Sequence, residues 1–197
     1  MESIRKIFND RKIKPIGEYR KSAVMVLLVE ENNELYIVFE KRALTLKHQP
    51  GDISLPGGMI EKNETSREAA VRETIEELNV KKSDIEVIGQ MDYFISPYSS
   101  IMYPFIGQLH TKDIKPNKDE VEHIFTVPLK FFLENQPACH KFKIKPHFQE
   151  DFPFELIYGG KNYKFSTKEY NQYFYKYKDY VIWGFTALII KSFVDTL

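Results

Sequence analysis

Apolar residues, three of them β-branched valines, run from Ala23 to Val29, and Ser22 to Val29 therefore predicts a buried strand. Leu35 to Glu40 predicts a second strand, and Glu30 to Glu34, with its two asparagines, supplies the turn of a hairpin. From Lys41 to Ile60 the periodicity is lost. Pro50, Gly51, Pro56, Gly57 and Gly58 surround one short apolar piece, Ile53 to Leu55, so this stretch reads mostly as loop. A loop of that length in a compact domain is usually functional. Thr65-Ser66-Arg67-Glu68 has the form of a capping box, which predicts a helix starting at Thr65 and running to about Leu78. Beyond it, Ile85 to Ile95 and Ile101 to Leu109 predict strands and Pro128 to Leu133 a short helix. Phe142 to Tyr163 predicts further strands or aromatic-rich loop. Tyr180 to Leu197 predicts a closing helix with Trp183, Phe185, Leu188 and Ile189 as its buried stripe. With no repeat and no long linker, the expected organisation is an N-terminal tail, residues 1–20, followed by a single α/β domain, residues 21–197.

Composition narrows the partners. The 197 residues carry 28 Lys+Arg against 28 Asp+Glu, so there is no basic excess for a nucleic-acid backbone, and 43% hydrophobic residues argue against disorder. The apolar runs are shorter than the ~18 residues of a membrane span, and residues 1–14 lack the apolar core of a secretory signal. A cytoplasmic location without membrane or nucleic-acid partners is the expectation. Cys139 is the only cysteine, which excludes an intrachain disulfide and a cysteine-based zinc site; it is expected in the core.

The helix after the loop carries the candidate chemistry. At ~100° per residue, Glu73, Glu76 and Glu77 share one face, while Val71, Thr74, Ile75 and Leu78 share the opposite, apolar one. Glu73 and Glu77 are a like-charged i,i+4 pair that destabilises an isolated helix, so a cation is expected beside them. Mg²⁺ suits such a place, because it takes one or two carboxylates and completes its shell with water and substrate phosphates. Arg72 can fork to a carboxylate and hold its orientation. Three glutamates on a helix also describe a solvated face; the Gly57-Gly58 pair, which lets a backbone approach an ion or ligand, weighs against that.

Gly58-x5-Glu64-x7-Arg72-Glu73-Thr74-Ile75-Glu76-Glu77-Leu78-Asn79-Val80 closely resembles the Nudix box, the signature of Mg²⁺- or Mn²⁺-dependent hydrolases of nucleoside diphosphates linked to another group. Thr74 stands where an aliphatic residue is usual and Asn79 where glycine is usual; asparagine is the residue that next best accepts a left-handed backbone. Upstream, Arg42-Ala43-x2-Leu46 and Gly51-Asp52-Ile53-Ser54-Leu55-Pro56-Gly57-Gly58 resemble the extra motif of the coenzyme A diphosphatase branch, with Gln49 at a position where histidine is common and His48 one place earlier. Asn117 to Leu129 and Ile182-Trp183-Gly184-Phe185-Thr186-Ala187 resemble later segments of that branch.

The resemblance implies an α/β/α sandwich with a mixed sheet, its catalytic box a loop-helix-loop. It implies Glu73, Glu76 and Glu77 as metal ligands with the Gly57 carbonyl as a further one, and Arg72, Glu73, Glu76 and Glu120 as the catalytic set. Glu120 reads equally as a surface glutamate. Arg42, Gln49, Gly51 and Gly58 are implied as substrate contacts. The implied activity is metal-dependent cleavage of coenzyme A or acyl-CoA to 3′,5′-ADP and 4′-phosphopantetheine or its acyl form. The alternatives are a diphosphatase for ADP-ribose or a dinucleotide, and a nucleotide-metabolite sensor without activity. A homodimer is expected by resemblance only. The five histidines show no metal-pair spacing, and no serine-nucleophile or P-loop motif is present. The aromatic run Tyr170, Tyr173, Phe174, Tyr175, Tyr177 and Tyr180 reads as core or interface, or as a surface that stacks an adenine or covers a pantetheine arm.

Overall fold

A computed structural model describes residues 1–9 and 11–197, in which the chain divides between two units, each built from separate stretches. The first comprises Met1–Leu28 and Pro56–Asn117, the second Val29–Leu55 and Lys118–Leu197. Among the described residues no helix is long and apolar enough to cross a membrane.

In the first unit, α1 (Glu2–Asn9) lies where a tail was expected, with Ile4, Ile7 and Phe8 exposed. The core strand is β1 (Arg20–Glu31), whose Ala23, Met25, Val26 and Leu27 are completely buried. Its unbroken apolar run is explained by parallel pairing, from Arg20↔Ser100 to Leu28↔Gln108, with β7 (Ser100–Leu109), since parallel strands are covered on both faces. The glycine-rich end of the long loop forms β4 (Gly57–Met59), antiparallel to β1 through Val24↔Gly57 and Ala23↔Gly58. The single strand expected over Ile85 to Ile95 is two, β5 (Ile85–Gln90) and β6 (Phe94–Ser96), both antiparallel to β7. The sheet of this unit is thus mixed, and α2 (Ser66–Leu78) packs against β4 and β7.

Helix α2 starts and stops where its local signals direct. Thr65 accepts a hydrogen bond from the Glu68 amide at 3.2 Å and its own amide donates to the Glu68 carboxylate at 2.9 Å, a complete capping box. Asn79 ends the helix with φ 53°, filling the left-handed position that glycine usually takes. The last carbonyls are satisfied by the Lys115 and Asn117 amides, which donate to Leu78 and Glu77. The buried Thr74 hydroxyl donates to the Ala70 carbonyl at 2.7 Å, so the departure from an aliphatic residue leaves no unpaired hydroxyl.

In the second unit, Asn32 and Asn33 have φ of 52° and 62°, as a two-residue hairpin turn demands. β2 (Glu34–Arg42) pairs antiparallel with β3 (Ile53–Ser54) and with β8 (Val121–Pro128), a strand that the sequence pattern did not announce. After α3 (Leu129–Glu134), a separate antiparallel sheet orders β9 (Ala138–Ile144), β10 (Lys168–Tyr177) and β11 (Tyr180–Trp183). Phe39, Phe132, Ile182 and Ile190 are buried in this unit, with Phe132 edge-on to Tyr175 at 5.0 Å. Between β9 and β10 the chain is irregular and is held by half-buried Phe148, Phe152, Phe154 and Phe165, with centroids 4.5 Å apart for Phe148–Phe152 and Phe148–Phe165.

Two expectations are corrected here. The closing helix begins later, as α4 (Gly184–Val194): Lys178, at φ 52°, turns the chain into β11, and Gly184, at φ 69°, separates strand from helix. Trp183 therefore lies on the strand, 42% exposed; of the expected stripe the helix buries Ile189, together with Ala187, Ile190 and Phe193, while Phe185 and Leu188 are half-buried. Cys139 is exposed, because β9 lies at the edge of its three-stranded sheet, where half-covered positions suit small and polar residues.

Candidate active site

The glycines of β4 govern the site in the first unit. Gly57 has φ 150°, and a Cβ there would lie 2.3 Å from the Ala23 carbonyl oxygen; only a bare backbone can make this approach to β1. At Gly58 a Cβ would fall 2.3 Å from the Glu73 carboxyl group, so the missing side chain is what lets that carboxylate lie on the strand. Gly57 donates its amide to Glu77 Oε2 at 2.8 Å. This bond explains a correction to the helical-wheel reading: Glu77, expected on an outward acidic face, is 5% exposed, and the buried face of α2 is rotated toward it, taking in Ala70 while Val71 and Ile75 are half-buried.

Arg72 organises the carboxylates. Its Nε and Nη2 form a fork to Glu64 Oε1 and Oε2 at 2.9 and 3.1 Å. Nη1 donates to Glu73 Oε1 at 2.9 Å and Glu76 Oε2 at 3.0 Å, and Nη2 also donates to the Met59 carbonyl at 3.0 Å. A guanidinium has five N–H donors, and these five bonds engage the whole set. The carboxylate that receives the fork is Glu64, eight residues upstream. Its role as the anchor is missed when the three later glutamates are read alone, although its place in the box is a signal for it.

The Glu64 fork drives the Arg72 pKa up, with the Glu73 bond adding to it against desolvation, so this cation stays charged at any working pH. Reciprocally, Arg72 first, then the Glu61 amide, hold the Glu64 carboxyl below its usual range, and the Thr65 hydroxyl and amide do the same for Glu68. A carboxyl whose folded pKa is depressed stabilises the fold fully above its ordinary value and loses that contribution as pH falls through the folded value. Thermal melts between pH 6 and 3 should show wild type losing more stability below pH 4.5 than Glu64→Gln; parallel curves would sink this assignment.

Three glutamates on one guanidinium, with Glu77 on the Gly57 amide, leave the cluster formally anionic, and hard oxygen donors of this type suit Mg²⁺ or Mn²⁺. Among the described residues no three carboxylate, imidazole or thiol groups form a closed metal cage. That is compatible with Mg²⁺, which ordinarily keeps water and substrate phosphates in its shell. The donor set fits the ion, with Glu73, Glu76, Glu77 and the Gly57 carbonyl as its candidate holders.

The other expected residues gather in the second unit. The Arg42 amide donates to the Asp52 carbonyl at 2.9 Å and the Gly51 amide to the Arg42 carbonyl at 3.1 Å, closing the loop on itself. Left-handed backbone at Gln49 (φ 52°) and Gly51 (φ 76°) makes the return. The Arg42 side chain reaches the His48 carbonyl at 3.5 Å, and its Nε is buried without a hydrogen-bond partner. Glu120, exposed and just before β8, is tied to the same loop, its carbonyl accepting from the Ala43 amide at 2.8 Å. Gly58, Arg72, Glu73, Glu76 and Glu77 are thus assembled in one unit, and Arg42, Gln49, Gly51 and Glu120 in the other.

A fold that presents four glutamates and an arginine from a loop-helix-loop beside a mixed sheet defines a class, and comparison with known proteins agrees. The NUDIX domain family model matches residues 19–148, and the chain belongs to that family. The chain is 33% identical over 123 residues to the Mus musculus protein named peroxisomal coenzyme A diphosphatase NUDT7, covering 61% of this chain and 52% of that one. It is 30% identical over 176 residues to Nudix hydrolase 15, mitochondrial, of Arabidopsis thaliana, covering 87% and 56%. The chain thus spans about half the length of these curated relatives. Among solved structures, a Nudix hydrolase from M. smegmatis, RenU, matches with a TM-score of 0.50 and 18% identity over 60% of this chain and 76% of that one, a likeness of fold.

Proposed function

We infer that the protein hydrolyses the diphosphate of coenzyme A or an acyl-CoA, giving 3′,5′-ADP and 4′-phosphopantetheine or its acyl form. The observation that carries the hydrolase reading is the five-donor clamp of Arg72 on Glu64, Glu73, Glu76 and the Met59 carbonyl, with Glu77 held by the Gly57 amide. A guanidinium spent in this way binds no substrate; it fixes carboxylates that would otherwise repel one another. The name of the mouse relative and the closed loop from Arg42 to Asp52 support coenzyme A as the conjugate.

Glu73, Glu76, Glu77 and the Gly57 carbonyl would hold Mg²⁺ or Mn²⁺. The bound ion supplies charge neutralisation of the diphosphate and a lowered pKa for water. Arg72 keeps the carboxylates oriented, Gly58 leaves the space in which Glu73 lies, and a carboxylate oxygen of this cluster accepts the proton of the attacking water. One P–O bond forms to water and one breaks within the diphosphate, with no covalent enzyme intermediate.

Mass-spectrometric product analysis with coenzyme A, ADP-ribose and NADH, each with Mg²⁺, Mn²⁺ or EDTA, tests this. Metal-dependent 3′,5′-ADP and phosphopantetheine, formed faster than AMP from the other two, is the expected result. Intact coenzyme A beside a cleaved ADP-ribose or NADH overturns the substrate, and no cleavage of any compound overturns the hydrolase.

A further inference from the structure

The second unit contains an open cleft of about 1070 Å³, outside the carboxylate cluster. Gly51, Asp52 and Ile53 of the closed loop line it, together with β8, β10 and β11. We propose that this cleft receives the uncharged, amide-bearing chain of the nucleotide conjugate, with or without an acyl group, and not its phosphorylated nucleoside. The inference deepens the diphosphatase reading and rests on it for the identity of the conjugate.

Three observations carry it. The first is charge: Lys41 and Lys178 on the lining are matched by Asp52 and Asp179, so the walls offer no net positive charge to a ribose bearing phosphates. The second is the state of the aromatic rings. Phe125 and Tyr180 are stacked on each other at 3.6 Å and 4°, and Tyr180 Oη is within 2.9 Å of His123 Nε2, so these rings form a fixed wall whose facing sides are already occupied. Trp183 lies parallel to its cross-strand neighbour Phe174, with centroids 6.0 Å apart, a spacing that leaves no slot for an inserted base. What remains for a ligand is a mixed polar and apolar surface, as an amide-bearing chain requires, on which Trp183 and Val181 stand 42% and 45% exposed. The third is size. The volume is that of a site for a whole drug-sized ligand, which a long chain fills and a single base does not.

The position of Trp183 supplies the test, because it is the only tryptophan. Its fluorescence is followed while the full chain, in EDTA so that no metal-dependent cleavage intervenes, is titrated with pantetheine, S-octanoylpantetheine or 3′,5′-ADP. A saturable change with the two pantetheine probes, tighter for the acylated one, and none with 3′,5′-ADP is expected. Val181→Asp, an exposed position that keeps the reporter, should weaken S-octanoylpantetheine binding at least tenfold. A response to 3′,5′-ADP alone, no response to any probe, or unchanged binding by Val181→Asp overturns the proposal. Coenzyme A turnover with Mg²⁺ is measured separately. Probe binding without turnover defeats the diphosphatase and keeps the cleft, whereas turnover without probe binding defeats the cleft alone.

Discussion

Replacing Glu73 by glutamine should lower metal-dependent diphosphate hydrolysis about 100- to 1,000-fold while leaving the protein folded, since loss of a metal-holding charge costs several kcal/mol at the transition state. The substitution keeps shape. An amide fills the same space over Gly58, where any bulkier arrangement would collide, and Arg72 retains its fork to Glu64 and its bond to Glu76. What is lost is one negative charge at the Nη1 bond and at the ion. Rates with saturating Mn²⁺ and calorimetric Mn²⁺ titration should fall together, with a melting temperature within a few degrees of wild type. A full rate in Glu73→Gln would remove this carboxylate from the reaction.

Gly57→Ala should act on the fold. Its Cβ would lie 2.3 Å from the Ala23 oxygen and 2.6 Å from the Val24 Cα, both backbone atoms with little room to yield, at a φ of 150° that side chains rarely adopt. We expect a loss of about 3 kcal/mol, as overpacking and backbone strain add. The damage spreads from β4, because separating it from β1 also withdraws the Gly57 amide from Glu77. Gly89→Ala is the matched control: its added methyl meets nothing within 4 Å, and stability should change by about 0.5 kcal/mol or less. Urea unfolding of the two variants compares them directly, and equal midpoints would show that the β1–β4 approach can relax.

These predictions draw on features that were unequally visible in the chain. The boundaries of α2 were legible because its signals are local: Thr65 and Glu68 are three residues apart, and Asn79 needs only its own tolerance of positive φ. β8 was not, since Val121–Pro128 becomes a strand by pairing with Tyr36–Arg42, about eighty to ninety residues earlier. Val181–Trp183 is an apolar run that suits helix or strand alike. The pairing of Tyr175 with Ile182 and the two positive-φ residues beside the run decided for strand.

The same division holds at the site. The sequence by itself determined that an arginine and three glutamates fall within one helix, with a fourth glutamate and two glycines ahead of them, because a helix repeats every 3.6 residues whatever surrounds it. It determined the helix boundaries and the family for the same local reason. Only the tertiary structure decided that Glu64 takes the fork of Arg72, that Glu77 turns inward to a backbone amide, and that Glu120 joins the loop of Arg42. It alone put Trp183 on a strand at an open cleft. A charged or aromatic side chain has many partners of equal chemistry along a chain; which one it meets depends on strand pairing, and strand pairing is set by residues far away in sequence.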